Sequence, residues 1–294
     1  MTFQRSFKMD KKQKTTSASY GQEHQEQMKR FHYDTKREGS NNSKRLKLAE
    51  RLLEKVDGRF QGKAKSDINA VDVGCSVGTF AIEMSKKGYR SVGVDFDDAA
   101  LEIAEALNLE EGSSATFLNK DVAELSEDIG KIDIALCMDI FEHLHDDELG
   151  GLFQGLKRSL SADGCIIFHT LPCEFDYLFW NGKKGIIQFP ILLWPFRWFP
   201  DRLFSKLVRI YALIIDTGMM LFLNKTYKEH IKTFHHCNPL TLVRMRDIFE
   251  RAGYTLDLLE TGFIDDQYKP SDKKAFQRLS ITHRSLYGIA SVKR

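Results

Sequence analysis

At 294 residues, 42% of them hydrophobic, the chain has ample material for one α/β core plus embellishments. Its net charge of +2 is unevenly divided: up to Lys65 there are 17 Lys and Arg against 8 Asp and Glu, a net of +9, which leaves −7 for the rest. The five cysteines (Cys75, Cys137, Cys165, Cys173 and Cys237) form no CxxC pair, which argues against a disulfide framework or zinc knuckle and for a reducing, cytosolic compartment.

Residues 1–30 are rich in Lys, Gln, Ser and Thr and are expected to form a basic tail without fixed structure. They hold no apolar h-region, so no secretory signal is expected. Their charge reads either as a solvated extension or as attraction to anionic lipid or nucleic acid. From Ser43 onward, Leu46, Leu48, Ala49, Leu52, Leu53 and Val56 recur at helical spacing and predict an amphipathic helix leading into the core.

Val71-Asp72-Val73 then reads as a short apolar strand running into the turn Gly74-Cys75-Ser76-Val77-Gly78. A helix follows, and a second strand, Val92-Gly93-Val94, ends on Asp95. Such a βαβ unit opens a nucleoside-binding crevice at the carboxyl ends of its strands. Gly74 and Gly78 lack a Cβ and are expected to let the backbone approach a ligand closely. Asp95 is placed to accept hydrogen bonds from both ribose hydroxyls, with Phe96 against the adenine. The dinucleotide fingerprint G-x-G-x-x-G does not fit Asp72-x-Gly74-x-x-x-Gly78: an acid just before the first glycine would repel a diphosphate but suits an ammonium group.

A third strand, Ala115 to Lys120, ends at Asp121-Val122, and a fourth, Ile132 to Met138, leads into Asp139-Ile140-Phe141-Glu142-His143-Leu144. A helix from Asp146 to Leu160 closes on the turn Ser161-Ala162-Asp163-Gly164, before a fifth strand from Cys165 to Leu171. Further on, Asn238-Pro239 starts a helix with Leu240, Leu242, Val243, Met245, Ile248 and Phe249 at its apolar positions. Ala252-Gly253-Tyr254 turns into strand six, Gln267 to Lys274 reads as a polar loop, and Ser285 to Lys293 as strand seven.

The run from Asp72 to Gly78, together with Asp95, resembles motif I of the class I S-adenosylmethionine (SAM)-dependent methyltransferases. Glu142-His143-Leu144 resembles the E-H-L signature after strand four in the subgroup that includes the ubiquinone-biosynthesis O-methyltransferases. His32-Tyr33-Asp34 is similar to the "Y-D" start of many methyltransferases, Tyr227 to Phe234 to a G-H-x-R-x-F stretch, and Ala252-Gly253-Tyr254 to an A-G-F turn. The resemblance covers residues 71–171 closely and the C-terminal part more loosely. It implies an α/β, Rossmann-like fold with a seven-stranded sheet in the order 3-2-1-4-5-7-6, strand 7 antiparallel, helices on both faces, and a helical, aromatic-rich insertion after strand 5. The corresponding division is a tail (1–30), a SAM-binding core with its N-terminal helix (31–172), a hydrophobic insertion (173–226) and the C-terminal part of the fold (227–294). SAM would be held by Asp72, Gly74, Cys75, Gly78, Asp95, Phe96, Asp121, Val122 and the Met138 backbone.

Between Cys173 and Asn224 lie Phe175, Tyr177, Phe179 and Phe189 together with every tryptophan of the chain, Trp180, Trp194 and Trp198. Ile186 to Phe199 is too short to span a bilayer, and Leu207 to Leu223 contains Arg209 and Asp216. The segment reads as a helical lid, or as a lid whose residues 186–223 also make peripheral contact with a membrane interface. Both readings imply an acceptor with a sizeable apolar part.

Methyl transfer needs an aligned nucleophile and exclusion of water, and a hydroxyl nucleophile benefits from a base. His143 is the candidate base and Glu142 its orienting partner; a purely structural role in the turn after strand four is the alternative for each. His169, at the end of strand five, is expected to point toward the same crevice and His230, His235 and His236 to enter from the lid, with a structural role expected for most of the four. Asp139, Glu142 and His143 also resemble the spacing with which some relatives hold a divalent ion, although the same triplet occurs in relatives without one. The expected activity is SAM-dependent methylation of oxygen on a small or lipid-like molecule. The alternatives are an RNA methyltransferase using the basic N-terminus, for which no RNA-binding module is recognisable, and a non-catalytic SAM-binding or interaction protein. The sequence leaves the oligomeric state open.

Overall fold

The computed structural model describes residues 22–37, 43–122, 125, 129–170, 199–200, 203, 207, 210, 238, 240, 242–261 and 285–293. Its strands are β1 (Asn69–Val73), β2 (Arg90–Asp95), β3 (Thr116–Asn119), β4 (Ile132–Met138), β5 (Leu160–Thr170), β6 (Tyr254–Thr261) and β7 (Leu286–Val292). They form one seven-stranded sheet in the order β3-β2-β1-β4-β5-β7-β6. The first five strands are mutually parallel, and β7 runs antiparallel to both β5 and β6. This is the order and strand direction implied by the methyltransferase resemblance.

Parallel strands are covered on both faces, so they read as unbroken apolar runs rather than as alternation. All seven residues of β4 are buried. The helices are α1 (Gln22–Lys36), α2 (Ser43–Val56), α3 (Thr79–Lys86), α4 (Asp98–Glu110), α5 (Asp146–Ser159) and α6 (Leu242–Ala252). Toward α5 and α6 the sheet presents Val71, Val73, Ala135, Cys137, Ile166 and Phe168. Here Phe141, Phe153, Phe168 and Phe249 stack with ring centroids 4.7–6.1 Å apart. Toward α2 and α3 it presents Ala70, Ile134, Leu136, Cys165 and Ile167, which pack on Leu48, Leu52, Val56 and Met84. The apolar spacing of the helix that starts at Ser43 thus faces the sheet.

The expected turn at residues 161–164 is a wide bulge inside β5. Ile132 pairs with Leu160 and Ile134 with Cys165, so four residues stand opposite Asp133 alone. The Ser161 hydroxyl closes the bulge by donating to the Asp133 carboxylate at 2.7 Å. The N-terminal boundary needs correction: residues 22–30, assigned to an unstructured tail, belong to α1. Its Met28 packs beside Val77, Ile82 and Leu107 in a small apolar cluster against α3 and α4, which supplies the burial that the polar composition concealed.

Residues 1–21, most of the 173–226 insertion, His230, His235, His236 and the loop from Gln267 to Lys274 lie outside the described residues. Among the described residues no helix is long and apolar enough to cross a membrane.

Candidate active site

The crevice lies where β1, β2, β4 and β5 end. After β1 the chain turns through three left-handed residues, Gly74 (φ 72°), Ser76 (φ 47°) and Gly78 (φ 74°). The Gly74 and Cys75 amides both donate to the Val94 carbonyl, at 2.8 and 3.0 Å, which ties the turn to the end of β2. The Ser76 amide donates to Asp95 Oδ2 at 2.7 Å, and the Asp97 amide to Asp95 Oδ1 at 3.1 Å. Asp97 in turn caps α4 by accepting from the Ala99 amide at 3.2 Å. Asp95 is therefore the joint between the first loop and the second. Burial raises its carboxyl from the ordinary value, while the Ser76 and Asp97 amides oppose the rise.

The glycines serve a purpose that the sequence reading missed. A Cβ on Gly74 would lie 2.0 Å from Ile140 Cδ1, and one on Gly78 would lie 2.6 Å from Phe117 Cε1. At these two positions an added carbon would meet the protein's own side chains, Ile140 in the turn after β4 and Phe117 in β3. Asp72 is 1% exposed and accepts from the Ala81 amide at 3.1 Å, so it fixes the start of α3 from beneath the turn. Burial is the main cause that pushes its carboxyl up to about 7, with the Asp95 charge adding to it and the Ala81 amide opposing.

The other residues expected to hold SAM form two tiers. Cys75, Val122 and Met138 are enclosed in the floor, and Asp95 is 8% exposed. Gly74, Ser76 and Asp121 are half-buried at the rim, and Phe96 is 36% exposed beside them. An adenosine suits this arrangement. Phe96 is exposed at the rim, Asp121 brings a carboxylate there, and Asp95 is held by the backbone amides of Ser76, Asp97 and Phe96.

Beyond β4, Phe141–His143 forms a single 3-10 turn. Glu142 is 1% exposed and accepts from the Thr170 hydroxyl at 2.7 Å, while its carbonyl accepts the Asn238 amide at 3.0 Å. These bonds join the end of β4 to the end of β5 and to the approach to α6. Half-buried His143 closes the same turn through its amide, which donates to Ile140 O at 3.0 Å. Asp139 diverges from both. One of its oxygens meets His169 Nδ1 at 2.5 Å and the other Arg45 Nε at 3.1 Å. Burial alone would raise the Asp139 carboxyl, but the Arg45 guanidinium and His169 hold it down at about 2. Among the described residues no three His, Cys, Asp or Glu side chains come together as a metal site, because Asp139 and Glu142 are committed to different partners.

The N-terminal helices close over this edge of the sheet. His32 is fully buried, its Nδ1 3.0 Å from Thr79 Oγ1 at the start of α3 and its Nε2 2.8 Å from Glu111 after α4. A carboxylate only accepts, so in the neutral ring Nε2–H donates to Glu111 and Nδ1 accepts from Thr79. Lys36 adds ion pairs to Glu83, at 3.0 Å, and to Glu111. The motif beginning at His32 packs on the start of α3 and the end of α4. Sequence reasoning did not find Arg45, which had no signal beyond its place on the polar side of a helix.

Residues 70–164 match a family model described as a methyltransferase domain. Over these residues the chain is similar to methyltransferase domains, and its sheet has the strand order of the class I methyltransferase fold. The ubiquinone biosynthesis O-methyltransferase of Vibrio parahaemolyticus is 34% identical over 130 residues, 44% of this chain and 52% of that protein. The chain thus spans about half the length of that relative. The Escherichia coli protein of the same name is 24% identical over 196 residues, 65% of this chain and 72% of that protein. Among solved structures, a SAM-dependent methyltransferase from Clostridium acetobutylicum superposes with a TM-score of 0.56 at 8% identity, covering 92% of this chain and 99% of that one. At that identity the likeness speaks for the fold, and the domain's sheet has the corresponding strand order.

Proposed function

We propose that this chain binds SAM in the crevice above β1, β2 and β4 and transfers its methyl group to a hydroxyl oxygen of a small, apolar or lipid-like acceptor. The observation that carries the reading is the pair of loops after β1 and β2, locked together through Asp95 beneath the exposed Phe96 ring. Asp95 would take the ribose hydroxyls, Phe96 the face of the adenine and Asp121 its polar edge. Gly74, Cys75 and Gly78 would shape the wall, with Asp72 behind it and Val122 and Met138 as the floor. When bound, SAM supplies a methyl group already activated by a sulfonium, so the protein's tasks are to orient the acceptor, exclude water and accept a proton. Oxygen as the methylated atom and an apolar acceptor are supported by the relatives named for ubiquinone biosynthesis and by the aromatic residues of 173–226. That segment would cover the acceptor and, through residues 186–223, touch a membrane interface from the cytoplasm.

Calorimetric titration with S-adenosylhomocysteine (SAH) tests the foundation. We expect micromolar binding, weakened about tenfold by Phe96→Ala, since stacking on an aromatic ring contributes roughly 1–3 kcal/mol per base. A folded protein that shows no heat of SAH binding would refute the reading.

A further inference from the structure

Arg45, Asp139 and His169 form a chain of contacts from α2 through the end of β4 to the end of β5. Three independent features set it apart. Asp139 has φ +58°, a left-handed conformation that costs a non-glycine residue roughly 1–2 kcal/mol and persists only where the surroundings enforce it. Its oxygens are divided between His169 Nδ1 and Arg45 Nε, at 2.5 and 3.1 Å, and its amide donates to the His169 carbonyl at 2.8 Å. His169 is 3% exposed and lies one residue from the carboxyl end of β5, where parallel α/β sheets hold their ligands.

A carboxylate accepts only, so the 2.5 Å contact fixes the proton of the neutral ring on Nδ1 and leaves the lone pair on Nε2. An acid that pins a histidine tautomer and faces a cation on its other side is the arrangement that prepares a base. We propose that His169, positioned by Asp139 and Arg45, is the base of this site, a role that rests on the methyl-transfer reading above. The acceptor's O–H proton passes to Nε2, the oxygen keeps the bonding electron pair that makes it nucleophilic, and the proton later leaves to water. Asp139 and Arg45 act through the histidine and are positioning residues. Among the described residues, the titratable groups around it include His143, which acts on Asp139, and Tyr287, the cross-strand partner of His169, whose hydroxyl donates to Glu260 at 2.6 Å. His143, the base expected from the motif, then becomes part of the turn that holds Asp139 in place.

A buried histidine that merely fastened α2 to the sheet would show the same contacts, so the test must separate the roles. His169→Asn keeps a side-chain N–H able to reach Asp139 and removes the Nε2 lone pair. With 4-tert-butylcatechol as acceptor probe, we expect kcat to fall about 100-fold or more, with SAH affinity kept within about twofold. Independently of turnover, long-range 1H–15N spectra of the histidine-labelled protein with SAH should show the Nδ1–H tautomer at His169. Its Nε2 resonance should move on adding the catechol. Wild-type kcat in His169→Asn, or catechol binding that leaves that resonance unmoved, overturns the assignment. Failure of the wild-type protein to bind SAH would instead remove the methyl-transfer reading beneath it.

Discussion

Replacing Gly74 by alanine separates two explanations of the first loop. The backbone there has φ +72°, so any L side chain bears a cost of roughly 1–2 kcal/mol. The new methyl would also fall 2.0 Å from Ile140 Cδ1, an overlap of the kind that costs roughly 1–3 kcal/mol in a packed interior. Gly74→Ala should therefore destabilise the protein by about 2–5 kcal/mol. Gly112→Ala provides a control, because its φ is +62° with nothing within 4 Å of the added carbon; it should lose only the conformational part, about 1–2 kcal/mol. Ile140→Val removes the one offending atom and by itself costs roughly 0.5–1.5 kcal/mol. The atom then nearest the new methyl is Ile140 Cγ1's equivalent, 3.1 Å away, a distance small shifts can absorb. Urea unfolding of the four variants, including Gly74→Ala/Ile140→Val, closes a double-mutant cycle, and the double variant should recover about 1–3 kcal/mol relative to the sum. Additivity within about 0.5 kcal/mol would refute the packing account. If SAH affinity then fell while stability matched the Gly112 control, close approach of a ligand would be the reason for Gly74 after all.

Three further outcomes follow from the buried charges. The Asp72 carboxyl rises from 3.8 in the unfolded chain to about 7 in the folded one, so its contribution is fully present below pH 4 and is lost as pH climbs to 7. At about 1.4 kcal/mol per unit this amounts to about 4 kcal/mol, and Asp72→Asn should flatten urea-measured stability across that window. His32 is depressed from 6.5 to about 4, by burial first and the Lys36 charge second, so its contribution is present above pH 6.5 and is lost as pH falls through 4. Hydrogen exchange in the Met28–Lys36 part of α1 should accelerate over that range ahead of exchange in β4. Arg45→Met should raise the Asp139 carboxyl, now at about 2, as followed by carboxyl-carbon NMR titration; an unchanged titration would mean that Arg45 does not hold Asp139 charged.

Local sequence determined the elements and their order. Apolar runs such as Ile132 to Met138 and left-handed punctuation at Gly74 and Gly78 act over a few residues, so β1 through β4 were legible before any contact was known, whereas the start of β5 was not, because its bulge depends on pairing with β4. The crevice was legible for the same reason, since the loops that line it follow directly from strand ends. What those loops do was not. Whether the missing Cβ of Gly74 admits a ligand or Ile140, and whether Asp72 meets an ammonium or the Ala81 amide, depends on which chain lies opposite. Arg45, Asp139 and His169 are separated by 94 and 30 positions along the chain, and only the packing of α2 beside β4 and β5 brings their charges together. The α1 helix illustrates the same limit: a segment with few aliphatic residues takes its order from Met28 in an apolar cluster and from His32, Lys36 and Tyr33 bonded to side chains some 47 to 79 residues away. Periodicity and backbone geometry are written into neighbouring residues, whereas a carboxylate's partner is decided by burial, and burial belongs to the folded chain.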